Sequence, residues 1–388
     1  MQCYRTIGRA YGFIQALLVA PLFATLLLAA CSAGVRVPPA PADAATLARD
    51  KQAFLEAMQP ARPGRPVIAV LARNEATETT DFLLTHAVLQ RSGLAEVQAV
   101  APRAGRVSLY PTLAVEVDQD FAGFDRAHPA GADYVIVPAL DDSDDPAVLA
   151  WLRQQAAKGA RIVSICAGAL IVGRAGLLDG RRATTHWYFV DTLLERHPGM
   201  HYVAHRRYVV DRGVVTTTGI TASVPTMLAL VEAIGGRAKA QALAAELGVD
   251  SWTPAHDSSR FGLSAEAAWN YLLARAAFWR HEDWRVDVRD GMDDIALAFA
   301  ADAWASTGLV TVEAAAPAPV KLRSGLTLLA QPAPKAAPRV PLTPGLKPVQ
   351  QLERTVCEIK ERFGVERSEW VMTKLEYPGA PACGEAGA

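Results

Sequence analysis

Three side chains carry the chemistry that this sequence can offer. Cys166 lies in Ser164-Ile165-Cys166-Ala167-Gly168-Ala169, between the apolar runs Arg161-Ile162-Val163 and Leu170-Ile171-Val172. A strand that ends at small residues and enters a helix has the layout of a nucleophile elbow. It sets a side chain at the tip of a sheet, beside helix amides and the positive end of a helix dipole. A cysteine there is expected to have a lowered pKa and partial thiolate character. The local pattern alone also fits a buried strand-end cysteine, a common place for a free thiol. His186, in Thr184-Thr185-His186-Trp187, follows after one helix and one turn. That spacing can return the chain to the strand ends, where ligands gather in open α/β sheets. Asp81 stands at the start of the helix after the first strand, with Glu75 and Glu78 as rival acids on the preceding loop. By themselves His186 also reads as a surface histidine, and Asp81 as a helix N-terminal acid favoured by the dipole.

The elements that must hold these residues alternate between strand and helix. Pro66–Leu71 and Tyr134–Val137 are apolar runs of strand length, suited to central parallel strands. A helix over Phe82–Leu89 stops at Ser92-Gly93. Short strands are expected at Val97–Val100 and Leu113–Val117, and a helix opens on Pro146. Tyr208–Val210 and Val214–Thr217 flank Asp211-Arg212-Gly213 as a hairpin, and a further helix runs to about Ala233. The alternation predicts a parallel sheet covered on both faces.

Ser-Ile-Cys-Ala-Gly-Ala, followed by Ala-Gly-Leu-Leu-Asp-Gly-Arg-Arg-Ala-Thr-Thr-His-Trp, resembles the ThiJ/PfpI superfamily, also called class I glutamine amidotransferase-like. The likeness is closest to the amidotransferase-like domain of AraC-type regulators and to isocyanide hydratases. It covers about residues 66–236, with Thr218-Gly219-Ile220-Thr221-Ala222 as a second matching block. The resemblance implies a flavodoxin-like sandwich, a homodimer, and a catalytic set of Cys166, His186 and Asp81, with the N–H of Ala167 facing an oxyanion. No cofactor and no metal are expected. The sequence departs from the family in two places. Ala167 stands where PfpI-like peptidases carry His, which argues against a protease. Thr80-Asp81-Phe82-Leu83 replaces the usual context of the acid.

The 388 residues have room for more than one domain, and 51% hydrophobic content with 20% charge fits a globular core. A net charge of −1 offers no basic surface for nucleic acid. Five scattered cysteines exclude a disulfide scaffold or a zinc cluster, although Cys357 and Cys383 could pair outside the cytoplasm. Arg5 and Arg9 precede an apolar run, Phe13–Ala30, that ends in Leu28-Ala29-Ala30-Cys31-Ser32. This is a secretory signal, and the cysteine after Leu-Ala-Ala resembles a bacterial lipobox. It implies lipidation at Cys31 and a place on the periplasmic face of the outer membrane.

The expected division is a signal peptide over 1–30, an Ala/Pro-rich tether over 31–65 with a helix near Ala44–Met58, and the ThiJ/PfpI-like domain over 66–238. A helical, Trp-rich extension over 239–313 follows, including runs Ala265–Trp279 and Met292–Trp304. Residues 252–304 hold five of the eight tryptophans. A Pro-rich linker with eight prolines spans 314–350, and a short helix and tail occupy 351–388. No helix-turn-helix pair follows residue 240. The expected partner is a small molecule. The functional expectation is a membrane-anchored hydrolase or hydratase acting on an electrophilic metabolite. The alternative is a thiol redox sensor or ligand-binding module descended from an AraC-type regulator.

Overall fold

The structure, a computed structural model, describes residues 40–262, 281–334, 336–381 and 383. The signal, Cys31 and the run Ala265–Trp279 lie outside the described residues. Among those described, no helix is long and apolar enough to cross a membrane.

The first described helix, α1 (Ala44–Ala57), is capped by the Asp43 carboxylate, which accepts from the Thr46 N–H at 2.6 Å. It then buries Phe54 and Met58 completely. Phe54 sits 4.7 Å from the Tyr208 ring, and the Tyr134 hydroxyl donates to the Met58 carbonyl at 2.7 Å. This part of the expected tether is therefore docked on the main core.

The main sheet is built from β1 (Val67–Leu71), β2 (Glu96–Ala101), β3 (Gln119–Asp120), β4 (Tyr134–Val137), β5 (Arg161–Ser164), β6 (Tyr208–Asp211) and β7 (Val214–Thr217), with order β6-β7-β5-β4-β1-β2-β3. All neighbours pair parallel except the β6/β7 hairpin. In β1, residues 68–71 are all buried, as the unbroken apolar run requires of a strand covered on both faces. Helices α2 (Thr79–Ser92) and α5 (Ser223–Gly235) contribute to the core on one face. Helices α3 (Pro146–Ala157) and α4 (Gly168–Arg174) contribute to the core on the other. This is the sheet covered on both faces that the alternation predicts, and the flavodoxin-like sandwich that the resemblance implies.

The extension differs from its expectation. It is not wholly helical. A β-α-β unit, β8 (Glu282–Asp287), α6 (Asp294–Ser306) and β9 (Val310–Ala315), pairs its two strands in parallel. The alternation Trp284/Val286 and Val310/Val312/Ala314 buries one face of each strand, a period-two signal masked by the density of tryptophan. Trp284 and Trp304 pack with centroids 4.6 Å apart. Helix α6 is buried almost all round and packs against α2.

The Pro-rich stretch 314–350 is not a free linker. Val320–Lys321 pairs with Thr327–Leu328, which adds antiparallel to Ala114–Val117 of the front domain. Proline ended the helical pattern but left room for two-residue strands on an existing edge. The C-terminus holds two helices, α7 (Gln350–Phe363) and α8 (Val365–Lys374), where one was expected. Cys357 of α7 is disulfide-bonded to Cys383.

Candidate functional site

Cys166 sits between β5 and α4 with φ 55°, one of five non-glycine residues at positive φ among the described residues. Left-handed backbone is costly for an L-residue and persists only where neighbours hold it. Here they do. The Cys166 N–H donates to Thr217 Oγ1 at 3.0 Å, and its carbonyl accepts from Thr185 Oγ1 at 2.9 Å. Gly168 is required two residues on, since a Cβ there would stand 2.2 Å from the Val137 carbonyl oxygen. Removing the side chain lets the first turn of α4 press against the end of β4. The Ala167 N–H is directed at the Cys166 sulfur. In the present state that amide serves the thiol, and an oxyanion formed at the elbow would meet the same donor.

Asp81 follows the carboxyl end of β1, across the sheet edge from the elbow. It is fully buried in the first turn of α2. Its Oδ2 accepts from the Ala139 N–H at 3.0 Å, and its Oδ1 has no hydrogen-bond partner. Burial pushes its carboxyl up from 3.8 to about 7, against the pull of the Ala139 amide and with help from Asp302. Of the rival acids, Glu78 caps α2, accepting from the Asp81 N–H at 2.6 Å and from the Thr80 hydroxyl. Burial and its acidic neighbours hold Glu78 well above the usual carboxylate range. Glu75 turns outward to Arg73 and Arg103 and takes no part in the site.

The environment of Cys166 corrects the expectation of a thiolate. Burial, followed by the charges of Asp81, Glu78 and Glu376, pushes the thiol well above its ordinary value. The donor that opposes this is the Ala167 amide. Helix α4 spans only seven residues, and three carboxyl groups outweigh its dipole.

His186 is brought to the same edge but is committed to the backbone. Its Nδ1 accepts from the Tyr188 N–H at 3.2 Å, and its Nε2 lies 2.9 Å from the Lys374 carbonyl oxygen. These partners assign the proton to Nε2. The imidazole braces the C-terminal segment and has no ring nitrogen left for the thiol.

That segment contributes the residues that sequence reasoning missed. Glu376, at φ 49° and 2% exposed, enters the site from beyond α8. Its Oε1 accepts from the Trp187 N–H at 2.6 Å and its Oε2 from the Gly219 N–H at 2.8 Å. Thr221 binds the same segment twice, its hydroxyl to the Glu376 carbonyl and its N–H to that of Leu375. The Trp187 indole donates to Thr373 at 2.8 Å. Asp302 of α6 is buried with Ser306, which takes a bond from Lys374 Nζ at 2.8 Å. Nothing in Leu375-Glu376-Tyr377 marks a site residue, because the contacts span more than 150 positions of sequence. Among the described residues no group of His, Cys, Asp and Glu is arranged to hold a metal ion.

A doubly wound parallel sheet with a strained, buried cysteine elbow at its carboxyl edge and a buried acid on the first helix defines an α/β sandwich with a thiol at the sheet edge. The chain belongs to the DJ-1/PfpI family, whose pattern matches residues 67–233. An uncharacterised protein of Streptomyces lividans is 37% identical over 123 residues, covering 29% of this chain and 87% of that one. The isonitrile hydratase of Pseudomonas putida is 37% identical over 120 residues, covering 31% of this chain and 49% of the enzyme. The transcriptional regulator CdhR of Pseudomonas aeruginosa is 38% identical over 86 residues, covering 22% of this chain and 25% of the regulator. The chain thus spans between a quarter and a half of the length of these last two relatives.

Proposed function

We propose that this protein is a cysteine-dependent hydratase or hydrolase for a small molecule with an electrophilic, nitrile-like or carbonyl carbon. The observation that carries this reading is a strained, rigidly held Cys166 within the electrostatic reach of Asp81, a buried acid whose Oδ1 has no hydrogen-bond partner. At a nitrile carbon Asp81 gives its proton to the nitrogen as the Cys166 sulfur bonds to the carbon. The carboxylate so formed takes the thiol proton, and S–H has added across the C≡N bond to give a thioimidate. At an amide carbonyl the same addition gives a tetrahedral adduct that expels the amine, protonated by Asp81, and leaves a thioester. Water then adds to the thioimidate or thioester carbon, the thiol leaves with its proton restored, and the amide or acid is released. The Ala167 N–H donates toward the heteroatom on which negative charge develops. Because both nitrogens of His186 are engaged, the proton transfers fall to Asp81. Likeness to isonitrile hydratase over 120 residues supports the hydratase branch.

The purified full chain, offered nitriles, isonitriles and amides, is expected to form the hydrated or hydrolysed product. The activity should vanish in Cys166→Ala. Undiminished turnover in that variant would sink the assignment. A second reading, a ligand-binding module without turnover, is favoured by the acidic surroundings that hold the thiol protonated; the same surroundings disfavour a redox sensor, because oxidation follows thiolate character. Saturable binding of a small molecule at the elbow, with no turnover of any substrate class, would select it.

We also propose a lipid anchor at Cys31, a place on the periplasmic face of the outer membrane, and a homodimer. The lipobox-like Leu28-Ala29-Ala30-Cys31 supports the anchor, and the Cys357–Cys383 disulfide suits an oxidising compartment. Labelling with a tagged fatty acid, lost in Cys31→Ser, tests the anchor.

A further inference from the structure

Glu376 occupies a seat that the fold has shaped for a carboxylate. Its two oxygens each meet a different backbone amide, Trp187 at 2.6 Å and Gly219 at 2.8 Å, with His256 Nε2 at 3.5 Å from Oε2. The amides are fixed relative to Cys166. Thr185, two residues before Trp187, bonds the Cys166 carbonyl, and Thr217, two residues before Gly219, bonds its N–H. Gly219 has φ −67°, which any residue adopts, so its backbone does not need glycine. Space does. A Cβ would stand 2.6 Å from the His186 ring and 2.9 Å from the Glu376 carboxyl carbon. The glycine keeps open the approach of a carboxylate to the amide pair.

The occupant is held under strain. Glu376 is at φ 49°, a backbone region that glutamate seldom adopts. Among the described residues no Lys or Arg pairs with the carboxylate. Lys374, two residues away, turns to Ser306 instead. A neutral seat of two amides suits a singly charged carboxylate, and the charge held there acts on the Cys166 thiol.

We propose that the Trp187 and Gly219 amides form the subsite for the carboxylate of a small organic acid, and that Glu376 is a tethered stand-in for that group, closing the site until the ligand displaces it. This deepens the preceding section, since it rests on Cys166 being the reacting group and names its substrate class as a carboxylate-bearing one. The C-terminal segment 373–377 is the closing strap. The Cys357–Cys383 disulfide ties the chain beyond it back to α7.

The test uses the full, oxidised chain and alkylation of Cys166 by iodoacetamide, read by peptide mass mapping. In wild type, Cys166 is expected to react slowly. In Glu376→Ala it should react at least about tenfold faster, as removal of a tethered competitor implies. Propionate should then slow the reaction saturably in the variant, while the neutral propionamide should not. Glu376→Gln, which keeps the size and loses the charge, should show the same protection with a smaller acceleration. In wild type, glutarate should raise amide hydrogen exchange across 373–377, an arm that needs no variant. Unchanged alkylation in the folded variants, equal effects of propionate and propionamide, or no effect of glutarate on exchange would each overturn the proposal. Protection is read on alkylation and not on turnover. A chain that binds propionate but converts nothing would refute the enzyme reading and leave the subsite standing.

Discussion

Replacing Asp81 by Asn should change how stability depends on pH, in a direction fixed by the site. The folded state holds this carboxyl at about 7, against an ordinary value of 3.8, chiefly because it is buried. The native state therefore binds more protons than the unfolded chain between those two values, and stability must fall as pH rises through that window. For one such group the fall from about pH 5 to pH 8 is about 2 to 3 kcal/mol. Asn can keep the bond from the Ala139 N–H with its oxygen and set its amide where the unpartnered Oδ1 lies, so it imitates the protonated acid. Urea denaturation of wild type and Asp81→Asn at both ends of the range supplies the measurement. The difference in stability between the two proteins should widen in favour of the variant by about 2 to 3 kcal/mol from the acid to the alkaline end. Glu78 is raised by burial and its acidic neighbours, and Asp302 by burial against the pull of Lys374 and its hydrogen bonds, so each also makes wild type fall with pH. The difference between the two proteins reports the contribution of Asp81 together with its coupling to those neighbours. Parallel curves across the range would refute the claim that Asp81 is held neutral, and with it the proton donor of the proposed reaction.

Gly168→Ala should lower stability by about 1–3 kcal/mol or more, because the new methyl would meet the Val137 carbonyl oxygen at 2.2 Å, and the urea midpoint will show it. Phe54→Ala should cost about 3–5 kcal/mol, measured as a fall in Tm, since α1 is fastened to the core by that ring against Tyr208. Reducing the Cys357–Cys383 bridge, which closes a separation of 26 residues, should lower stability by about 3 kcal/mol on the chain-entropy view. The cost should vanish in the double serine variant, which the reductant cannot affect.

Much of the framework was legible before any coordinates. The apolar runs of β1 and β4 can be satisfied only by a sheet covered on both faces, and the small residues around Cys166 fit a turn that admits no bulk. Local pattern and chain order fix such features, so Cys166, Asp81 and the sheet edge could be placed together. Two kinds of information were missing from it. The proline count of 314–350 measures where helices cannot form, and carries no signal that Thr327–Leu328 will add to a strand of the front domain. The charge state of Cys166 depends on everything that surrounds it. A lone elbow suggests a lowered thiol pKa, whereas burial beside Asp81, Glu78 and Glu376 raises it. Glu376 and His186 show the same division. The histidine was visible as a motif, but its partners lie on Tyr188 and on Lys374, 188 positions away. By itself, the sequence determined the scaffold and the identity of the thiol, because periodicity and steric demand act over a few residues. The tertiary structure alone decided how that thiol is protonated and what covers it, because Coulomb forces and hydrogen bonds act between groups that only folding brings together.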